Sequence, residues 1–362
     1  MKPDAHETIR AMNQNTETKN NHAIPRACGL LVIEVVNSNP NGDPDRDSDP
    51  RQRPDGLGEI SPVSFKRKLR DIVDQKPPEW QLLKAAVEKR LGIGPLAEGQ
   101  FQILERRGRV RDEVELDIYT PDDHFGNKFL AKYWDARVFG NTFLEKEDTI
   151  RKRWTSRKPS LAEEEDGKKL KQEVGELLKQ IRRNIKSGAV QFGMGLSIKP
   201  ISIRRNTQTN KAGVEEGMEQ GMAPLGYRFV PQATYTMPFF INPAGAAQTK
   251  CRLVDIEVML ALLPLAYPLN PSSIRPLVRV VLAHVLEHEN PLGSFPDLEV
   301  LRRLTPVPTQ RGKPDEREEP LPAGYTAWGQ PEVQAFLEEH APKFARYREL
   351  LSGLEITSTQ LS

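Results

Sequence analysis

Cysteine is nearly absent: Cys28 and Cys251 are the only two in 362 residues, far apart and in different kinds of segment. That excludes a disulfide framework and a cysteine-based zinc site, and it suits a reducing, cytoplasmic setting. Long apolar runs are missing too, since the longest, Val258–Tyr267, is broken by Pro264 and is too short to span a bilayer. Residues 1–27 are polar and hold no signal-peptide core, so they are expected to form a flexible N-terminal arm, and no membrane association is expected. Net charge almost vanishes, with 52 Lys+Arg against 50 Asp+Glu. Any nucleic-acid role must therefore rest on local clusters of charge. No Walker loop, dinucleotide glycine fingerprint or G-x-S-x-G elbow occurs, and Gly193-Met-Gly195 is too short to cradle a nucleotide, so no cofactor is expected.

What is present is a globular composition: 37% hydrophobic residues plus 25 glycines, in a chain long enough for one decorated domain or two ordinary ones. The 30 prolines point to long connections between regular elements. Gly29–Val36 is short, apolar and β-branched, the pattern of a central strand buried on both faces. Turn formers fill Asn37–Pro50, and a helix follows with Ser61 as N-cap, Pro62 first, and Phe65, Leu69, Ile72 and Val73 at helical spacing. Residues 77–133 read as an insertion holding a helix over Glu79–Leu91, and Tyr133–Gly140 as an apolar return to the core. A basic, partly helical excursion covers 151–186, with 12 Lys or Arg against six Asp or Glu. The spacing then predicts a glycine-interrupted strand over Ala189–Ile203, a hairpin at Arg204–Arg228 and a strand at Tyr227–Ile241. Helices are expected at Leu253–Leu263 and Ile274–Glu289, and a strand through Leu298, Val300, Leu301 and Leu304. A proline-rich connection from Pro306 leads to a terminal helix within Val333–Leu351. This order is that of an α+β core, with helices packed on one face of a sheet.

Four constellations could carry chemistry. The Asn37–Asp49 loop leads into a helix bearing Lys66, Arg67, Lys68 and Arg70, where backbone N–H groups and basic side chains could surround a phosphate. The competing reading is an Asx-rich connection before a solvated helix face. Asp43, Asp45, Asp47 and Asp49 alternate, which invites a hard cation, but the spacing fails the EF-hand pattern. Self-capping turns and pairs with Arg46, Arg51 and Arg53 are the alternative. His284-Val-Leu-Glu-His288 in a helix would match the H-x-x-E-H zinc protease pattern through His284, Glu287 and His288, against a solvated helix end. Gln191–Arg205 offers Phe192, Met194 and the Arg204-Arg205 pair, a mixture suited to single-stranded nucleic acid, with core packing of the apolar residues as the alternative.

Together, Asn39-Pro-Asn-Gly-Asp-Pro-Asp45, Phe65-Lys-Arg-Lys-Leu-Arg70, Asp135-Ala-Arg-Val-Phe-Gly140 and Gly188–Gly195 resemble the backbone subunit of type I CRISPR Cascade complexes, closest to the type I-C kind, within the RAMP superfamily. The resemblance covers roughly 29–75, 133–144 and 188–305. It implies an RRM-like (ferredoxin-like) palm with finger insertions and a thumb β-hairpin within Arg204–Arg228. It further implies a non-catalytic subunit that polymerises with further copies along a guide RNA and presents it to target DNA. The implied partners are the large and small subunits, a repeat-processing, handle-binding subunit and a recruited helicase-nuclease. Carried over by motif, Asn37, Asn39, Asn41, Lys66, Arg67, Arg70, Arg137, Gln191, Phe192, Met194, Arg204 and Arg205 would touch RNA. Type III relatives cut RNA with a loop acid, which would put Asp43 or Asp45 in that role.

Overall fold

The computed structural model describes residues 23–108, 127–142, 147–157, 167–211, 222–307 and 331–351. The expected N-terminal arm falls almost wholly outside these residues, as do the tip of the hairpin and most of the proline-rich connection.

The molecule is organised around strand β1, Ala27–Ser38, which is buried along almost all its length. It pairs antiparallel with β8 (Met222–Ile241) on one side and with β9 (Leu277–His288) on the other. The sheet runs β10-β9-β1-β8-β6-β2, with β2 at Leu57–Ile60, β6 at Gly195–Pro200 and β10 at Phe344–Leu351. Short β5 (Val190–Phe192) and the long arm β7 (Arg204–Lys211) also pair with β8, while β3 (Gly140–Asn141) and β4 (Lys186–Ser187) form a separate two-stranded sheet.

Alternation along β1 sends its side chains to two different cores. Leu31, Ile33 and Val35 face the main cluster, with Phe65, Leu69 and Ile72 of α1 (Pro62–Gln75) and Ile256, Met259 and Leu260 of a second helix, Leu253–Leu262. Trp80, Leu83 and Val87 of α2 (Pro78–Leu91) join that cluster. On the opposite face, Cys28 and Leu30 pack with Val300, Leu304, Phe336 and Leu337. A separate cluster holds the basic excursion together. In it Phe129 and Leu130 of α3 (Asn127–Lys132) meet Ile150 of α5 (Glu147–Arg157) and Val174, Leu177 and Ile181 of α6 (Gly167–Asn184). Between α3 and α5, Trp134–Phe139 forms α4. The helix Leu253–Leu262 is α8, after α7 at Pro243–Thr249.

Several expectations are corrected. The segment expected as a helix over Ile274–Glu289 is strand β9: it pairs with β1 along most of its length and with β10 over Leu282–His288, and Val278, Val280, Val281 and Val285 are buried. The strand expected through Leu298–Leu304 is helix α9, Asp297–Leu304, whose Val300 and Leu304 lie one turn apart on its buried face. The terminal helix is only α10, Pro331–Glu339; the chain then joins the sheet edge as β10. Helices therefore cover both faces of the sheet, α1 and α8 on one and α9 and α10 on part of the other.

One buried ion pair ties α4 to α8. Arg137 donates to both carboxylate oxygens of Asp255, at 3.0 and 2.7 Å, and also to the carbonyls of Leu130, Ala131 and Gln100. Burial raises the Asp255 carboxyl, but hydrogen bonds from Arg137 and Arg252 outweigh it and leave the group below its ordinary range. Replacing Asp255 with alanine strands a buried guanidinium, so stability should fall by about 3–5 kcal/mol. Urea unfolding measures it; a loss under about 1 kcal/mol would mean that water already relieves Arg137.

Candidate nucleic-acid interface

At the end of β1 the chain turns on Asn37, held at φ +43°, a left-handed conformation that asparagine tolerates better than most residues. The loop beyond it closes on itself. The Asn39 amide donates to the Ser48 carbonyl at 2.8 Å, and Asn41 Oδ1 accepts from both the backbone N–H and the hydroxyl of Ser61, each at 2.9 Å. Asn41 thus fixes the N-cap of α1, where Ser61 Oγ in turn accepts from Ser64 N–H. Backbone N–H groups of Asp43, Arg46, Ser48, Asp49 and Arg51 are taken up by carbonyls within the loop. The expected open nest of donors for an anion is therefore spent on the loop's own shape, and Asn39 and Asn41, both buried, act as its struts.

The alternating acids do the same. Asp43 caps a short turn by accepting from Asp45 N–H at 3.2 Å and faces Arg51 at 3.8 Å. Asp49 receives Arg205, with Nε to Oδ1 at 3.2 Å, and faces Arg228 Nε at 3.4 Å; Arg228 also reaches Asp47 at 3.5 Å. Arg205 and Arg228 are cross-strand partners at the base of the β7–β8 hairpin, beside Arg204 opposite Phe229 and Asn206 opposite Tyr227. Tyr227 stacks on Phe229, ring centroids 5.1 Å apart, and its hydroxyl donates to the Asn37 carbonyl at 2.8 Å. Loop and hairpin base thus form one surface. It exposes Asn37, Arg46, Arg204 and Arg205, with the partly exposed Tyr227 and Arg228 among them.

The residues expected on the helix face are more constrained. Arg70 is mostly buried against Asp135 at 2.9 Å, and Arg67 donates to the Glu105 carbonyl. Lys66 lies over the Phe139 ring at 5.9 Å, its ammonium lowered below its ordinary value by burial and by Arg70. Arg137 is buried in its pair with Asp255 and cannot reach a ligand. Phe192 is a core residue, 5.3 Å from Phe65 and 5.5 Å from Phe239 between ring centroids, which leaves Gln191 and Met194 as the exposed members of that stretch. Gly193 and Gly195 make room for protein rather than ligand, since a Cβ there would meet Pro238 at 2.8 Å and Met237 at 3.0 Å. Arg228, Tyr227 and Arg46 went unselected in the sequence. For Arg228 and Tyr227 the signal lay in register, because strand pairing sets them beside the predicted Arg205 and its neighbour Asn206.

The H-x-x-E-H reading fails with the helix. On strand β9, His284 and His288 are about 13 Å apart along one face, and Glu287 points to the other. His284 sits beside the Tyr347 hydroxyl at 2.9 Å, and burial lowers it to about 4. Among the described residues the possible metal-ligand cluster is instead Cys28, His288 and Asp297. Its hydrogens are accounted for. Ser294 N–H donates to His288 Nδ1 at 3.2 Å, so Nε2 carries the proton given to Asp297 at 2.8 Å, and Arg26 takes the other Asp297 oxygen at 2.8 Å. Burial and the Asp297 carboxylate push the Cys28 thiol up to about 12. Hydrogen bonding makes the trio a clip that holds α9 to β1.

A family model described as CRISPR-associated protein Cas7 matches residues 26–321. Among solved structures, a chain titled as a CRISPR RNA-guided surveillance complex, pre-nicking, is 13% identical with a TM-score of 0.41, covering 74% of this chain and 80% of its own. A second CRISPR RNA-guided surveillance complex gives 14%, a TM-score of 0.31, and coverage of 73% and 72%. A Type III-B Cmr-beta complex bound to cognate target RNA gives 12%, 0.30, 79% and 69%. No curated protein matches.

The Arg205 hydrogen bond lowers the Asp49 carboxyl below 3.8. A lowered folded-state value stabilises above the unfolded one and is lost as pH falls through the folded one. The hairpin anchor should therefore hold at neutral pH and release only below about 3.8. Asp49→Asn should bring that release to neutral pH, seen as faster amide exchange across Arg204–Asn206 and Tyr227–Val230 with little change in global stability. Unchanged exchange would show that the hairpin base is held by other contacts.

Proposed function

The chain belongs to the CRISPR-associated Cas7 family, and on that premise we propose that it is a guide-RNA-binding backbone subunit of a type I interference complex. The family match over residues 26–321 carries this reading. The surface at the end of β1 supports it, because guanidinium groups, a stacked aromatic pair and a rigid loop suit a sugar-phosphate chain held without regard to sequence. The core is RRM-like in this reading. Taking β1, β6, β8 and β9 as its four strands, their sheet order is 4-1-3-2, with α1 after the first and α8 between the last two.

The β7–β8 hairpin is the thumb, and further copies of the chain continue the RNA track. Target DNA is read by pairing with the guide rather than by this protein. The subunit does no catalysis of its own. The Asp43 carboxylate is occupied in capping its turn and facing Arg51, which supports a structural role over cleavage.

The bound contacts divide into those free to meet phosphate and those spent internally. Alanine at Arg46, Arg204 and Lys66 should weaken binding to unrelated RNA sequences alike, and each lost phosphate contact should flatten the log–log salt dependence by about 0.7. Fluorescence anisotropy at several salt concentrations measures both. Equal slopes for the triple variant and the parent would mean that this face meets protein or solvent.

A further inference from the structure

Lys68 stands about 160° around α1 from both Lys66 and Arg70, turned away from the face just described. It is 6% exposed. Among the described residues its ammonium hydrogen-bonds only to the Ser64 carbonyl, at 3.4 Å, and lies 5.1 Å from the centre of the Tyr267 ring. No carboxylate is in ion-pair contact with it among the described residues. Lysine is almost never buried in this state unless paired.

The neighbours add positive charge. Arg275 lies close enough to depress both Lys68 and the field around Tyr267, and Arg107 adds a third cation. The acid that acts on Lys68 among the described residues, Asp71, is already in a 2.9 Å pair with Arg107. Burial lowers Lys68 to about 8, and burial likewise depresses Arg275. Arg275 spends one donor, Nε, on the Asn39 carbonyl at 3.0 Å. The Tyr267 hydroxyl is buried with no hydrogen-bond partner among the described residues. Arg275 is the member of the cluster that stays partly exposed, beside exposed Ile274 and Pro276.

We propose that Lys68, Arg275 and Tyr267 form a phosphate-binding site at the junction of α1, the Asn39 loop and the segment before β9. An ammonium, an unspent guanidinium edge and a phenol together match an anion with several oxygens. The source of the phosphate, guide RNA or the free ion, follows from competition. The RNA source rests on the function proposed above, while the site itself rests on the uncompensated charge.

Titration calorimetry with inorganic phosphate, against chloride at equal ionic strength, tests it on the full chain. Wild-type protein should bind phosphate, and Lys68→Met and Arg275→Gln should each lose about tenfold or more in affinity. Phosphate should raise the melting temperature of the wild type but not of Lys68→Met. Lys68→Met should be no less stable than the parent without phosphate, because it removes a buried unpaired charge.

A short oligoribonucleotide identifies the source. Displacement of RNA by phosphate, lost in Lys68→Met, assigns the site to the guide backbone; phosphate binding without displacement assigns it to the free ion. Either result upholds the site. Absence of phosphate binding, or equal affinity in wild type and both variants, overturns it. RNA binding that still depends on Arg46 and Arg204 would then show that the proposed function survives without this site.

Discussion

Burial of β1 on both faces and both edges is the constraint from which the rest follows. Because β8 and β9 satisfy its backbone and two hydrophobic clusters take its side chains, the strand cannot shift by one residue without moving each side chain to the wrong core. Its end is therefore a fixed point. The loop that begins at Asn37 starts from it, and the hairpin base is fixed to it through the Val230–Ser38 pairing of β8.

The loop and hairpin are coupled by charge rather than by apolar packing. Asp49 is largely buried, whereas its partner Arg205 is two-thirds exposed. Such a pair gives orientation more than stability. In the proposed function, a phosphate at this surface would meet the exposed remainder of the Arg205 guanidinium, whose Nε and one terminal nitrogen are held by the Asp49 carboxylate. The surface so built sets exposed cations against more buried Asp49, which is how, in the proposed function, a chain with 52 basic and 50 acidic residues would present a basic track.

Much of this was legible in the residues themselves. The strand before the Asn-Pro-Asn-Gly-Asp run, the Ser61 cap, the Arg204–Arg228 hairpin and its strand partner all lie where spacing and turn chemistry put them. Strand β9 was misread because a strand buried on both faces has no alternation, so periodicity alone cannot tell it from a helix. That error carried the two histidines onto one helical face, a geometry a strand does not allow. Arg137 and Phe192 were misplaced for a different reason: a motif marks where a residue stands in the chain, not which way its side chain points. Arg137 meets Asp255 118 positions away, and Phe192 packs against Phe65 of α1. Lys68 was grouped with Lys66, Arg67 and Arg70 in one basic run, since only tertiary packing separates the buried ammonium from its partly exposed neighbours.

The central claim is that RNA lies against the end of β1 and the hairpin base. Ultraviolet cross-linking of the full chain to a guide-length RNA, followed by mass spectrometry of the adducts, tests it most directly. The account predicts adducts within Asn37–Arg53 and Arg204–Phe229, with Tyr227 foremost. Adducts confined to the opposite end of the sheet, around α9 and β10, would contradict it.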